Sequence, residues 1–156
     1  MKTLKRLFAV ALILGVLSLA VYEIAGLGIY PAPQGTYVVK TDYGGYVHLY
    51  ERKYRRLARS HKEIAIDGEC SSACTMLFGY FPLDRICVTP RAKLGFHMPT
   101  EKTDDGKWIP TQDGARDLMA MYPPQIQRWL ARKGGLKPDM IYLRGEELRK
   151  VIRRCT

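Results

Sequence analysis

The sequence predicts one α/β domain behind an N-terminal hydrophobic segment. Three observations carry this reading. Short β-branched or aromatic runs alternate with amphipathic stretches of helical period, the pattern of strands interleaved with helices. Of the 156 residues, about 125 follow the first hydrophobic stretch, which is enough for one core and too few for two. The composition is 47% apolar and 26% charged, ordinary for a globular chain, with no biased tract and no internal repeat.

The first 30 residues are organised differently from the rest. Lys2, Lys5 and Arg6 make a basic start, and residues 7–22 form an apolar run broken by one serine. This is the pattern of a secretory signal or an N-terminal membrane anchor. Small residues at Ser18-Leu19-Ala20 suit cleavage; the apolar continuation through Ile24–Tyr30 suits a span that tolerates Glu23. Both alternatives stay open, and the basic flank argues against a buried core helix. In either case the positive flank stays inside, so the rest of the chain is expected outside the cytoplasm. It would be periplasmic or otherwise extracytoplasmic, either secreted or anchored to the inner membrane through residues 7–30. Residues 31–35, Pro-Ala-Pro-Gln-Gly, read as a stiff linker, and 36–156 as the folded domain.

Within the domain, Thr36–Lys40 reads as a strand that runs into a Tyr43-Gly44-Gly45 turn. Residues 46–60 read as a helix. Tyr46, Val47, Tyr50, Tyr54, Leu57 and Ala58 fall on one face, opposite a basic face over 51–59. Glu63–Asp67 is a short strand closed by Gly68, and Ala73–Phe78 a buried helix. Strands follow at 85–89 and 94–98, each ended by proline. Residues 100–111 are polar, with Gly106 and Pro110, and read as an exposed loop or lid. Helical patterns cover 113–121, 123–133 and 145–154, with Gly134-Gly135 between the last two.

The net charge is +10. Outside the cytoplasm a basic surface faces anionic lipid, cell-wall polymer or solvent, so no nucleic-acid partner is expected. Cys70, Cys74, Cys87 and Cys155 suit an oxidising compartment. Four cysteines allow three pairings, and spacing does not choose among them. A Cys70–Cys74 bridge across a strand-to-helix corner would be tight, with Cys87–Cys155 the natural remainder. Cys70-x3-Cys74 is only half a zinc ligand set, and Cys87 with His97 does not supply the second close pair. No metal and no cofactor is expected.

The stretch Gly68-Glu69-Cys70-Ser71-Ser72-Ala73-Cys74 holds the best candidate nucleophile. A serine where a strand gives way to a helix sits beside free backbone N–H groups that favour developing negative charge. It needs a base. His48 and His61 read as surface residues, whereas His97 lies between Phe96 and Met98 at the end of an apolar strand, where an imidazole must find a partner.

Three blocks in order carry a family resemblance: Gly44-Gly45, Ser72-Ala73 and Gly95-Phe96-His97-Met98-Pro99. With their spacing they resemble the Clp protease proteolytic subunit and its crotonase superfamily. Cys70-x-Ser72-Ala73-Cys74, Arg85 and Gly95-x-His97 are more similar to a group of exported bacterial Clp-like proteins. The resemblance covers residues 36–99 well and the remainder weakly. It implies a reduced Clp-protease/crotonase-like (ββα-type) domain with Ser72 as nucleophile and His97 as general base. The amides of Gly45 and Ala73 would form the oxyanion hole. The family's third member is an acid on a later helix. Among Asp139, Glu146 and Glu147, Asp139 is chosen, because Asp139–Leu143 loosely resembles the family's region after its aspartate; a helix-capping role is the competing reading. The resemblance implies a further strand-helix-strand unit ahead of the Gly-Gly turn; with the N-terminal segment set aside only residues 31–43 precede that turn, so the sheet is expected to be reduced or completed by another subunit, and the superfamily's rings and trimers imply a homo-oligomer.

Two functions follow. One is an exported or membrane-tethered serine hydrolase, a peptidase acting on peptide or protein. The other is a non-catalytic, membrane-anchored Clp-like interaction or assembly module whose basic face over 51–59 meets lipid or a partner. Acyl-CoA chemistry is set aside, because an exported domain would rarely meet coenzyme A.

Overall fold

A parallel strand–helix–strand crossover organises the N-terminal half of the domain in the computed structural model, which describes residues 34–156. The predicted signal or anchor over 1–30, and the linker up to residue 33, lie outside the described residues. Strand β1 (Gln34–Val39) leads through the Gly44-Gly45 turn into helix α1 (Val47–Ser60), which returns the chain to strand β2 (His61–Ile66). β1 and β2 pair in parallel, with Tyr37 opposite Ile64 and Val39 opposite Ile66. Parallel neighbours need such a crossover, and a helix is its usual form. The amphipathic pattern of α1 explains how it is held. Tyr54 is fully buried, Tyr50, Leu57 and Ala58 pack on the core, and Arg52, Arg55, Arg56 and Arg59 face solvent. Tyr46 and Val47, expected on the buried face, are instead exposed, because the first turn of α1 projects past the core.

Four short strands are not legible in the sequence, and two of them flank the strand at Lys93–Phe96. β3 (Glu69–Ser71) follows β2 after a two-residue break, and β8 (Ile141–Arg144) lies near the C-terminus. The remaining strands are β4 (Ile86–Val88), β5 (Lys93–Phe96), β6 (Thr100–Lys102) and β7 (Trp108–Pro110). One sheet has the order β1-β2-β4 and a second the order β3-β5-β8. In the second, β3 is parallel to β5, with Ser71 opposite Gly95, and β5 is antiparallel to β8, with Phe96 opposite Ile141. The expected loop at 100–111 is a hairpin of β6 and β7. The mixed α/β class is as the sequence predicts.

Helices α2 (Gln112–Met121) and α3 (Pro124–Arg132) match two predicted segments. Thr111 caps α2 through its side chain, and Pro124 opens α3 at a position that needs no amide donor. Helix α4 stops at Arg149 (Gly145–Arg149) rather than running to 154. Beyond it Val88 N donates to Arg153 O and Cys155 N to Val88 O, so the chain end is used as a strand-like partner of β4.

The core is continuous from Val39, Ile64 and Ile66 through Leu94 and Phe96 to Ile126, Trp129 and Leu130. Residues 34–156 belong to one compact unit. Cys70 is bonded to Cys74 and Cys87 to Cys155. The second bridge pins the C-terminal residues to β4. By loop-closure entropy a crosslink of this separation is worth about 4 kcal/mol, against about 2 kcal/mol for the short one.

Candidate active site

The site is built where β3 ends. Residues Ser72–Gly79 form a 3-10 helix, where a buried helix over 73–78 is expected. This is long for a 3-10 run, and Ala73 to Phe78 are all buried within it. The strand-to-helix corner is made by Ser72 itself, whose φ is 56°. Among the described residues it is the one non-glycine residue in the left-handed region. Such a backbone costs of order 1–3 kcal/mol and persists only where its surroundings enforce it.

Several contacts enforce it. The Cys70–Cys74 bridge ties the residue two before the corner to the residue two after it. The Thr75 hydroxyl donates to the Ser72 carbonyl at 2.7 Å and shares a second hydrogen bond of 2.7 Å with the Tyr122 hydroxyl. Tyr54 donates to the Cys74 carbonyl at 2.7 Å. Burial raises the Tyr122 hydroxyl above the ordinary tyrosine range, so it stays a neutral hydrogen-bonding group.

The corner also separates the two adjacent serines. Ser71 is buried, opposite Gly95, and its hydroxyl donates to Glu69 at 2.7 Å. Ser72 points the other way, and its Oγ is 2.7 Å from Nε2 of His97. Gly95 keeps these strands together: a Cβ there would lie 2.9 Å from both Ser71 Cβ and Met140 Sδ. A small residue two before His97 is therefore a packing requirement of the site.

His97 follows β5 and is partly buried. Desolvation lowers its pKa below the ordinary imidazole value, and a hydrogen bond with the Met98 backbone acts in the opposite direction. The ring is thus held neutral at neutral pH, the state in which Nε2 can accept a proton from Ser72 Oγ. Phe96, one residue earlier, meets Tyr122 edge-on at 5.3 Å. Tyr122 therefore touches both the serine corner and the histidine strand.

Ser72 and His97 open on a cleft of about 810 Å³ that Gly45 and Ala73 also line. The Gly45 amide makes no hydrogen bond among the described residues. The Gly44 amide is taken by Asp42 at 3.0 Å. The opposite walls are Met76, Leu118 and Met121, and at the rim Tyr46 meets Trp108 of β7 at 6.1 Å between ring centroids. His48, expected on the surface, is exposed and lines the cleft mouth; His61 begins β2 and bonds Ser60 Oγ through Nδ1.

Asp139 is not brought into the cleft. It is exposed and makes no hydrogen bond or ion pair among the described residues. Its main chain nevertheless runs beside the histidine, since Met98 N donates to Lys137 O at 2.7 Å. Glu146 pairs with Arg149 and Glu147 with Lys133, away from the cleft. No carboxylate bonds the His97 ring among the described residues, and no group of three or more His, Cys, Asp or Glu side chains there is arranged to hold a metal ion.

Three residues beside the site were missed by the sequence reading. Thr75 and Tyr122 meet across 47 positions, a separation no local pattern reveals. Asp42, by contrast, stands two residues before Gly44, and an Asp-x-Gly turn is a signal that could have been used.

No family model matches this sequence, and no curated protein matches it. Among solved structures, the chain is similar to a ClpP1 mutant from Listeria monocytogenes, at 13% sequence identity and a TM-score of 0.44, over 80% of this chain and 74% of that one. The two disulfides are compatible with an extracytoplasmic location. Among the described residues no helix is long and apolar enough to cross a membrane.

Proposed function

We propose that this protein is an exported or membrane-tethered serine hydrolase, a peptidase, in which Ser72 is the nucleophile and His97 the general base. The observation that carries the reading is the 2.7 Å contact between Ser72 Oγ and His97 Nε2 at the floor of an open cleft. In the reaction Ser72 Oγ attacks the scissile carbonyl while His97 Nε2 takes its proton. The carbonyl oxygen becomes an oxyanion facing the amides of Gly45 and Ala73. His97 then returns the proton to the leaving amine, and a water repeats the sequence on the acyl-enzyme. Asp139 is proposed as the orienting acid. Its segment runs beside Met98, where Met98 N donates to Lys137 O, and the role would require the Asp139 side chain to be brought to the imidazole on substrate binding or on assembly into a homo-oligomer. Residues 7–30 would hold the domain at the membrane where they are retained.

A second reading, a non-catalytic membrane-anchored interaction module, is favoured by one observation: His97 has no carboxylate partner among the described residues. Hydrolysis of a fluorogenic peptide library separates the two. The hydrolase reading expects turnover by the oxidised parent and a loss of 10³-fold or more in both Ser72→Ala and His97→Ala. Equal turnover in parent and Ser72→Ala, or none in any sample at high enzyme concentration, favours the module.

A further inference from the structure

Asp42 stands between the end of β1 and the glycine turn, and it is bound from both sides. Its Oδ1 accepts hydrogen bonds from the Gly44 amide at 3.0 Å and from the Tyr50 hydroxyl, and its Oδ2 accepts from Lys53 Nζ at 2.6 Å. Its main chain is held to β3: Asp42 N donates to Glu69 O at 2.8 Å, and Ser71 N donates to Asp42 O at 2.9 Å. One residue thus ties the glycine turn and helix α1 to the strand that delivers Ser72.

We infer that Asp42 is a positioning residue, which clamps the Gly44-Gly45 turn against the Ser72 corner and so fixes the Gly45 amide toward the place where the oxyanion forms. The inference rests on the serine hydrolase function proposed for this site. Gly44 is pressed against the corner, since a Cβ there would lie 2.7 Å from Ala73 N. With the Gly44 amide committed to Asp42, the next amide, that of Gly45, is left unbonded on the cleft wall. Burial alone would raise the Asp42 pKa, but the Lys53, Tyr50 and Gly44 hydrogen bonds outweigh it and hold the carboxyl below its ordinary value. The clamp is therefore ionised at neutral pH. Lys53 lies over the Tyr50 ring at 4.8 Å, so the partners of Asp42 also brace one another.

The test combines fluorophosphonate inactivation kinetics with amide hydrogen exchange on the full chain. Asp42→Ala is expected to lower kinact about 10²-fold with KI changed less than threefold, the size of effect for a lost oxyanion donor. Asp42→Asn keeps an acceptor for the Gly44 amide but sets an amide NH2 against Lys53 Nζ in place of Oδ2, and is expected to recover part of the rate, above Asp42→Ala and below the parent. Exchange at the Gly44 amide should quicken at least tenfold in Asp42→Ala. The stability control is Asp67→Ala, another carboxylate bound by a hydroxyl and an arginine, Thr89 at 2.6 Å and Arg91 at 2.5 Å, outside the cleft. It should lower Tm without changing kinact. Unchanged kinact in folded Asp42→Ala, or an equal fall in Asp67→Ala, overturns the inference. A parent that never reacts overturns the hydrolase function instead, and Gly44 exchange then decides the clamp: no change on removing Asp42 overturns it.

Discussion

Gly44 and Ser72 are in direct contact across the corner, so closely that a Cβ on Gly44 would lie 2.6 Å from Ser72 Cβ. Gly44 also has a φ of 86°, in the left-handed region that glycine adopts without strain. Gly45, the end of the turn, and Ser72 are 27 residues apart in the sequence. In the fold they are one packed unit.

Gly44→Ala should therefore do two things at once. The left-handed backbone and the overlap with Ser72 should destabilise the domain by about 1–3 kcal/mol. The forced displacement of Ser72 or the turn should lower the labelling rate of Ser72 about 10²-fold or more. Denaturant unfolding and inactivation kinetics on the same sample check both.

The two disulfides should separate stability from reactivity. Removing Cys87–Cys155 by alanine substitution should lower stability by about 4 kcal/mol, or Tm by roughly 15 °C for a domain of this size, with little effect on labelling at temperatures where the fold persists. Removing Cys70–Cys74 should lower stability by only about 2 kcal/mol while releasing the Ser72 corner, so labelling should fall more than stability does. Calorimetry beside labelling rates reads the contrast.

The pH dependence follows from His97. Burial lowers its folded-state pKa below the ordinary value of 6.5. The labelling rate should hold on descending through pH 6.5 and fall only at lower pH, as the imidazole is protonated. The linkage sign is fixed as well. Between the folded pKa and 6.5 the unfolded chain binds more protons at this group, so its contribution to stability is full above pH 6.5 and declines as pH falls through that window. His97→Asn should remove this part of the stability–pH profile, as urea midpoints across pH 5–7.5 would show.

Tyr122 should act mainly through packing. Tyr122→Phe keeps the ring contact with Phe96 and leaves Thr75 bonded to the Ser72 carbonyl. It should lower stability by about 1 kcal/mol and change labelling less than fivefold. Tyr122→Ala removes the shared support of serine corner and histidine strand, and should impair both.

The parts of this molecule legible in the sequence are those governed by local pattern. The amphipathic run over 46–60 gave α1, the Pro123-Pro124 pair marked the start of α3, and short β-branched runs marked β1, β2 and β4. β3 and β8 escaped because three or four residues are too few to show a period, and their pairing with β5 is what makes them strands. The hairpin at β6 and β7 escaped because it is exposed throughout and carries no apolar alternation. At the candidate site, the settings of Ser72 and His97, a strand-to-helix corner and the end of an apolar strand, are legible in the sequence, and the fold brings the two side chains to 2.7 Å. Tyr122, Thr75 and the disulfide pairing depend on tertiary contact alone. For Asp139 the sequence offers only a loose resemblance of the segment after it, and its side chain lies outside the cleft.

The most direct measurement is fluorophosphonate labelling of the purified, oxidised protein, with the modified residue located by peptide mapping. One adduct is expected, on Ser72 and not on Ser71, absent from Ser72→Ala and reduced at least 10³-fold in His97→Ala. An adduct on another residue, or labelling of Ser72 at the same rate without His97, would contradict an activated serine at this corner.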